Sequence, residues 1–214
     1  MTVKSGRPPA RSTYRHGDLH RALLEAGIDL ARAGGPDAVV LREATRRAGV
    51  VPNAAYRHFS SREDLLDAVR AACLAALAVA MEAELATVRR NKRPADFARA
   101  RLRAVGTGYL RFALAETGLF RTAFSVPAPI GEAPDPAKAG GSGLNPFQLL
   151  GSALDLLTEA GVLPPARRPG AEFLAWSAVH GLALLLIEGP LKGIAAKQAR
   201  ALEQRLLDMV EKGL

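Results

Sequence analysis

Two residues three positions apart, Gly49 and Pro52, fix more of this chain's local geometry than any other pair. Glycine accepts the left-handed backbone on which helices commonly stop. Proline suits the first position of a new helix, where its fixed φ is helical and its missing N–H would have had no partner. The spacing therefore predicts a helix over 41–48, a short turn, and a second short helix over 52–59, the geometry of a helix-turn-helix. Ser60 is the expected cap of a longer third helix, with Glu63 completing a Ser-x-x-Glu capping box. Within 52–59 only Ala54, Ala55, Tyr56 and Phe59 are candidates for burial, whereas Asn53, Arg57 and His58 are rich in donors. Donors on a short helix suit phosphates and base edges. A plain helical hairpin in a core leaves that composition unexplained.

Charge supports the same end of the chain. Residues 1–60 hold ten basic side chains against five acidic ones, so they carry +5 of the net +8. Such an excess beside a helix-turn-helix is the footprint of a protein that meets a polyanion; the competing reading is that it serves solubility. Residues 1–15 contain Lys4, Arg7, Arg11 and Arg15, no acid, and Pro8-Pro9, and read as a flexible basic arm. That arm either follows phosphates or a minor groove, or is a plain disordered tail.

Hydrophobic residues form 49% of the chain but aromatic residues only 5%, so the core is expected to be built from Leu, Ala and Val. With few β-branched runs and few hairpin turns, this makes the fold all-α. Helices are expected over about 18–33, ended by Gly34-Gly35-Pro36; over 61–90, long enough to link two domains; over 95–116; and over 119–124. A break is expected at Asn91-Lys92-Arg93-Pro94. Gly106 and Gly108 lie inside the 95–116 helix at a cost of about 1 kcal/mol each, so they allow close approach or leave room. The stretch 126–146, with five prolines and four glycines, is expected to be a flexible loop. Its Gly140–Gly143 run is not a phosphate loop, because no strand precedes it and no Lys-Ser/Thr pair follows. Asn145 and Gly161 should bound a helix over 146–160, with Pro146 at its first position. A nearly apolar helix over 170–191 and an amphipathic one over 194–212 complete the chain.

Several function classes are set aside. No 18-residue uncharged stretch is present, so no membrane span is expected, and the nearest approach, Phe173 to Ile187, carries Ser177 and His180. No apolar region follows the N-terminal charges, and Cys73 is the single cysteine; both favour the cytoplasm. His16 and His20 have no further ligand in sight, so no metal and no cofactor is expected. Cys73 and Met81 read as packing residues. Ser177 and His180, three apart on one helix, are weak evidence for a nucleophile and its base, so an enzyme is not expected.

The segment AGVVPNAAYRHFSSREDLL, residues 48–66, closely resembles the recognition-helix signature of the TetR family of one-component transcriptional regulators, over roughly residues 15–70. Val51 departs from that pattern, where Ser is usual, as do Ala54 and Ala55, where Thr and Leu are common. Trp176, His180 and Gly181 resemble the tryptophan-histidine-glycine signature of one subclass of TetR-type ligand-binding domains. The resemblance implies an N-terminal three-helix DNA-binding domain over 16–62 and a larger helical ligand-binding and dimerisation domain over 63–214. It implies three partners: a double-stranded DNA operator, a second copy in a homodimer, and an unidentified small-molecule effector. Tyr56, His58 and Arg62 would anchor phosphates, Asn53 and Arg57 would meet bases, Arg42 and Arg46 would support them, and Arg11 and Arg15 of the arm would join in. An effector pocket would draw on Val105, Tyr109, Phe112, Phe124, Phe147, Trp176 and His180; for His180 the alternative is a core histidine satisfied by Tyr109 or a backbone carbonyl. Dimer contacts would come from Ala178, Gly181, Leu182, Leu185, Leu202, Leu206 and Met209. The function implied is a ligand-responsive repressor of transcription, with a nonspecific DNA-coating protein as the rival reading.

Overall fold

The computed structural model describes residues 16–90, 93–126 and 135–214, and over these the chain is all-helical, with no strand. The arm with Arg11 and Arg15, the Asn91-Lys92 pair of the break, and residues 127–134 of the long loop lie outside the described residues. The helices are α1 (His16–Gly34), α2 (Leu41–Arg47), α3 (Pro52–Ala55), α4 (Arg62–Ala86), α5 (Pro94–Ala115), α6 (Thr117–Ala123), α7 (Pro146–Glu159), α8 (Ala171–Ile187) and α9 (Ala196–Gly213).

The Gly49 turn forms as its sequence predicts. Gly49 has φ 68°, the Val50 N–H donates to the Thr45 carbonyl at 3.0 Å, and the Gly49 N–H donates to the Arg46 carbonyl at 3.3 Å. These two bonds are the Schellman pair that satisfies the last carbonyls of a helix. Pro52 opens α3, which is shorter than its pattern suggests: one α-turn, continued by a tight turn in which the His58 and Phe59 N–H groups both reach the Ala55 carbonyl at 2.9 Å. The cap of α4 falls one residue later than expected. Ser61, not Ser60, accepts from the Asp64 N–H at 3.0 Å, and the Asp64 carboxylate reaches back to the Ser60 N–H at 3.0 Å and to the Ser60 hydroxyl. Ser60-Ser61-Arg62-Glu63-Asp64 offers two overlapping boxes, and the chain uses the second.

Leu65, Val69, Cys73, Leu77, Met81 and Leu85 recur every four residues along α4 and are all buried. Fully burying each large side chain contributes about 1.5–3 kcal/mol before chain entropy is counted. Burial also pushes the Cys73 thiol up to about 12, so it stays protonated and inert. The 25 residues of α4 span about 37 Å, and the helix packs against α1 at one end and against α5, α6 and α7 along its length. Gly108 lets α5 lie directly on it, since a Cβ there would stand 2.6 Å from the Met81 Cα. Gly106 instead leaves room for the Leu207 side chain of α9. Arg99 and Arg103 hold that helix further, with Arg99 at 3.1 Å from Glu211 and Arg103 at 2.5 Å from Asp208. The short α6 wedges between α1 and α4: a Cβ on Gly118 would strike the carbonyls of Ala31 and Arg32, and Arg32 pairs with Glu116 at 3.0 Å.

Asn145 and Gln148 form a complete capping box at the start of α7, and Gly161, with φ 69°, ends that helix. The preceding segment holds more order than its composition suggests. Pro136–Lys138 form a 3-10 turn, and the glycine-rich run closes on a side chain of α4. The Gly141 N–H, the Ser142 N–H and the Ser142 hydroxyl donate to the Glu82 carboxylate at 2.8, 2.9 and 2.5 Å. A Cβ at Gly140 would stand 2.6 Å from both of its oxygens. Amides of an irregular segment need acceptors, and here one carboxylate, some sixty positions earlier in sequence, supplies them.

Candidate DNA-binding surface and effector site

Around α3 the burial pattern separates a packing edge from a free edge. Ala55 and Phe59 are buried, and His20 of α1 stacks on Phe59 at 4.8 Å, with the His58 ring 6.1 Å away. Tyr56, a candidate for burial on sequence, is instead 58% exposed, alongside exposed Asn53 and Arg57. Arg42 is exposed on the preceding helix. Arg46 is also exposed, but it holds the Glu43 carboxylate with two bonds, at 2.6 and 2.9 Å, and Arg47 reaches the same carboxylate at 3.5 Å. The Arg46 guanidinium keeps the Glu43 carboxyl down at about 2, so the ion pair persists at any physiological pH. Arg62 is turned inward, with its Nη2 donating to the Pro36 carbonyl at 2.9 Å. It thereby clamps the α1–α2 corner to α4 rather than standing free beside Tyr56. The surface so formed presents an amide, a phenol and guanidinium groups, the donor set that suits phosphates and purine edges.

The second site lies where α5, α6 and α8 meet. The Tyr109 hydroxyl lies 2.7 Å from His180 Nδ1 and accepts from Trp176 Nε1 at 3.1 Å. With Trp176 donating to the hydroxyl, the arrangement that also uses the Tyr109 proton sends it to Nδ1 and leaves the neutral imidazole's proton on Nε2. Burial raises the Tyr109 pKa and lowers that of His180, which keeps both neutral. Phe124 lies 4.9 Å from the His180 ring and 6.1 Å from Trp176, and Phe147 lies 6.2 Å from Trp176. Four of the expected pocket residues thus join Tyr109 in one aromatic cluster. Val105 and Phe112 are buried on α5, but among the described residues no ring contact joins Phe112 to the cluster. Phe120, absent from the sequence-based set, is fully buried and packs edge-on to Tyr109 at 5.5 Å and 5.6 Å from His180. Its fourfold spacing from Phe124 on α6 was the available signal. Phe173, 5.7 Å from Phe147, is the other missed ring.

Tyr109→Phe is expected to destabilise the protein by about 1–3 kcal/mol in denaturant unfolding, because it strands the Trp176 N–H and His180 Nδ1. The depressed pKa of His180 gives a pH signature with a definite sign. Its contribution to stability is complete above the ordinary value of 6.5 and is lost as the pH falls through the lower folded value. The melting-temperature gap between wild type and His180→Gln should therefore shrink as the pH drops below 6.5.

The α8 helix is less buried than its apolar sequence suggests. Phe173, Leu174 and Leu185 are exposed, Leu174 at 65%, and Ala178 and Gly181 stand half-exposed between them. On α9 Met209 is exposed and Leu202 and Leu206 are partly buried. Leu182 belongs to the chain's own core instead. Among the described residues no group of three His, Cys, Asp or Glu side chains is placed to hold a metal, and no helix is long and apolar enough to cross a membrane.

A donor-bearing helix-turn-helix and an aromatic-lined helical site thus share one long helix, α4. The model of bacterial regulatory proteins of the tetR family matches residues 23–69, and that of the tetracyclin repressor-like C-terminal domain matches residues 102–210, half of the chain. The chain belongs to the tetR family, whose members are transcription regulators and not enzymes. A protein of unknown function from Rhodococcus sp. RHA1 is 27% identical, over 95% of this chain and 99% of its own, with a TM-score of 0.73. A TetR family transcription regulator from Marinobacter aquaeolei VT8 is 20% identical, over 89% and 94%, with a TM-score of 0.58. The transcriptional regulator FadR from Bacillus subtilis, solved with stearoyl-CoA, is 12% identical, over 91% and 99%, with a TM-score of 0.61. Among curated proteins none matches the chain.

Proposed function

We propose that this protein is a cytoplasmic repressor that binds a pseudo-palindromic operator as a homodimer and is released by a small molecule. Residues 16–62 would form the DNA-binding unit, preceded by the basic arm, and residues 63–214 the sensing and dimerising unit. The observation that carries the reading is the free edge of α3 and the tight turn that continues it, where Asn53, Tyr56 and Arg57 stand exposed while Ala55 and Phe59 hold this segment to its support. Binding of the full-length protein to duplexes selected from a random library tests it. The affinity should fall steeply with salt, with a log–log slope of about −0.9 for each phosphate neutralised. Absence of any selected sequence, or equal competition by scrambled DNA, would reject a specific regulator.

The effector reading rests on the Tyr109–His180–Trp176 triad within the ring cluster. Its apolar rings, neutral imidazole and phenol suit an uncharged aromatic or apolar molecule that accepts a hydrogen bond from His180 Nε2. Trp176 is the single tryptophan, so tryptophan emission reports on this site alone. A compound that shifts that emission without loosening operator binding would not be the inducer. Release needs only a difference in affinity between two conformers, with α4 as the element common to both units. The Trp176, His180 and Gly181 pattern supports assignment to the tryptophan-histidine-glycine subclass.

Dimerisation is supported by Gly181. A Cβ there would meet nothing within 4 Å, so the subunit itself gives no reason to tolerate a glycine in mid-helix. A partner helix crossing closely at this point would. Gly181→Ala is expected to leave the subunit as stable or more so, by up to about 1 kcal/mol, while weakening self-association measured by sedimentation.

A further inference from the structure

We propose that Val51 reads the 5-methyl group of a thymine in the bound DNA, an inference that rests on the DNA-binding reading above. Among the described residues Val51 is the most exposed of the large hydrophobic side chains, at 69%. It occupies the N-cap of α3 with extended backbone, φ −74° and ψ 141°, and makes no side-chain capping bond. Valine is a poor choice there on two counts. It cannot accept from the first N–H groups of the helix, as Ser, Thr, Asp or Asn would, and it leaves two methyl groups in water. The adjacent Val50 turns the other way and packs against the core, so exposure is not a general property of this turn.

Within the subunit neither disadvantage is offset. The exposure of its methyls is offset by a partner that presents an apolar feature at the start of α3, and the neighbours of Val51 restrict what that partner is. Asn53, Tyr56 and Arg57 are exposed on the same short element, a donor-rich surround for an apolar contact. In a helix-turn-helix complex the N-terminal residues of the second helix meet base edges in the major groove. Along those edges the apolar group is the thymine methyl. Val51 therefore supplies sequence information at a position where hydrogen bonding supplies none.

The test uses the full-length protein and duplexes it selects from a random library. Each thymine of the selected half-site is replaced by deoxyuridine in both halves at once, which removes the methyl group and nothing else. One such replacement is expected to weaken wild-type binding by about tenfold, or about three- to fourfold per half-site for one buried methyl. Val51→Ala should bind the thymine and uracil duplexes equally while still rejecting scrambled DNA. Val51→Ser provides a capping oxygen, so its melting temperature should match or exceed that of wild type; loss of methyl discrimination in that variant excludes misfolding as the cause. A uracil penalty that survives in both variants, or no thymine with a penalty in wild type, overturns the role of Val51 and leaves DNA binding standing. Failure to select any sequence removes the DNA reading and this one together.

Discussion

Gly108→Ala is expected to lower the melting temperature by roughly 5–10 °C. The added carbon would stand 2.6 Å from the Met81 Cα, 3.0 Å from the Ala80 carbonyl oxygen and 3.1 Å from the Met81 amide nitrogen. All three are backbone atoms of α4, so no side-chain rotamer change relieves the clash and the two longest helices must separate. Overpacking of this kind costs about 1–3 kcal/mol, and a chain of this length loses about 2–4 °C per kcal/mol. The contact lies beneath the buried Tyr109, next in sequence on α5. Scanning calorimetry checks the size of the effect, and a loss below about 2 °C would show that α4 and α5 slide freely.

Replacing the exposed side chains of α3 is expected to divide them into two classes. Arg57→Ala should weaken binding to the selected operator by about ten- to a hundredfold while changing binding to scrambled duplex far less, as loss of a base contact does. Tyr56→Ala should weaken both by the same factor, because a phosphate contact positions the protein without reading sequence. Neither side chain supports the core, since both are exposed, so circular dichroism and melting should stay unchanged. Parallel titrations of each variant on operator and scrambled DNA decide the matter, and uniform losses in both variants would reverse the assigned roles.

The local signals in the sequence were legible because their physics is local. Gly49, Pro52, Asn145 and Gly161 each act within four residues, and each stands where its chemistry requires. The one-residue shift of the α4 cap arose because consecutive serines each precede an acid at the right distance. Contacts across the fold were not legible. Arg62 on the Pro36 carbonyl and Glu82 on Ser142 join residues 26 and 60 positions apart. The capture of Arg46 and Arg47 by Glu43 was available in principle, from three- and four-residue spacing on one helix. The ring cluster was mostly legible, since helical spacing brings Trp176 and His180 to one face. Phe120 escaped because α6 is too short for its periodicity to declare an inner face.

The Glu82 carboxylate in its cradle of Gly141 and Ser142 groups has a consequence for ions in solution. A dissolved anion seeking those amides competes with one attached to the same chain, whose effective concentration is set by the rigid frame of α4 rather than by the buffer. The cradle is therefore closed to external occupants, and the pinned segment gives α7 a fixed point of entry.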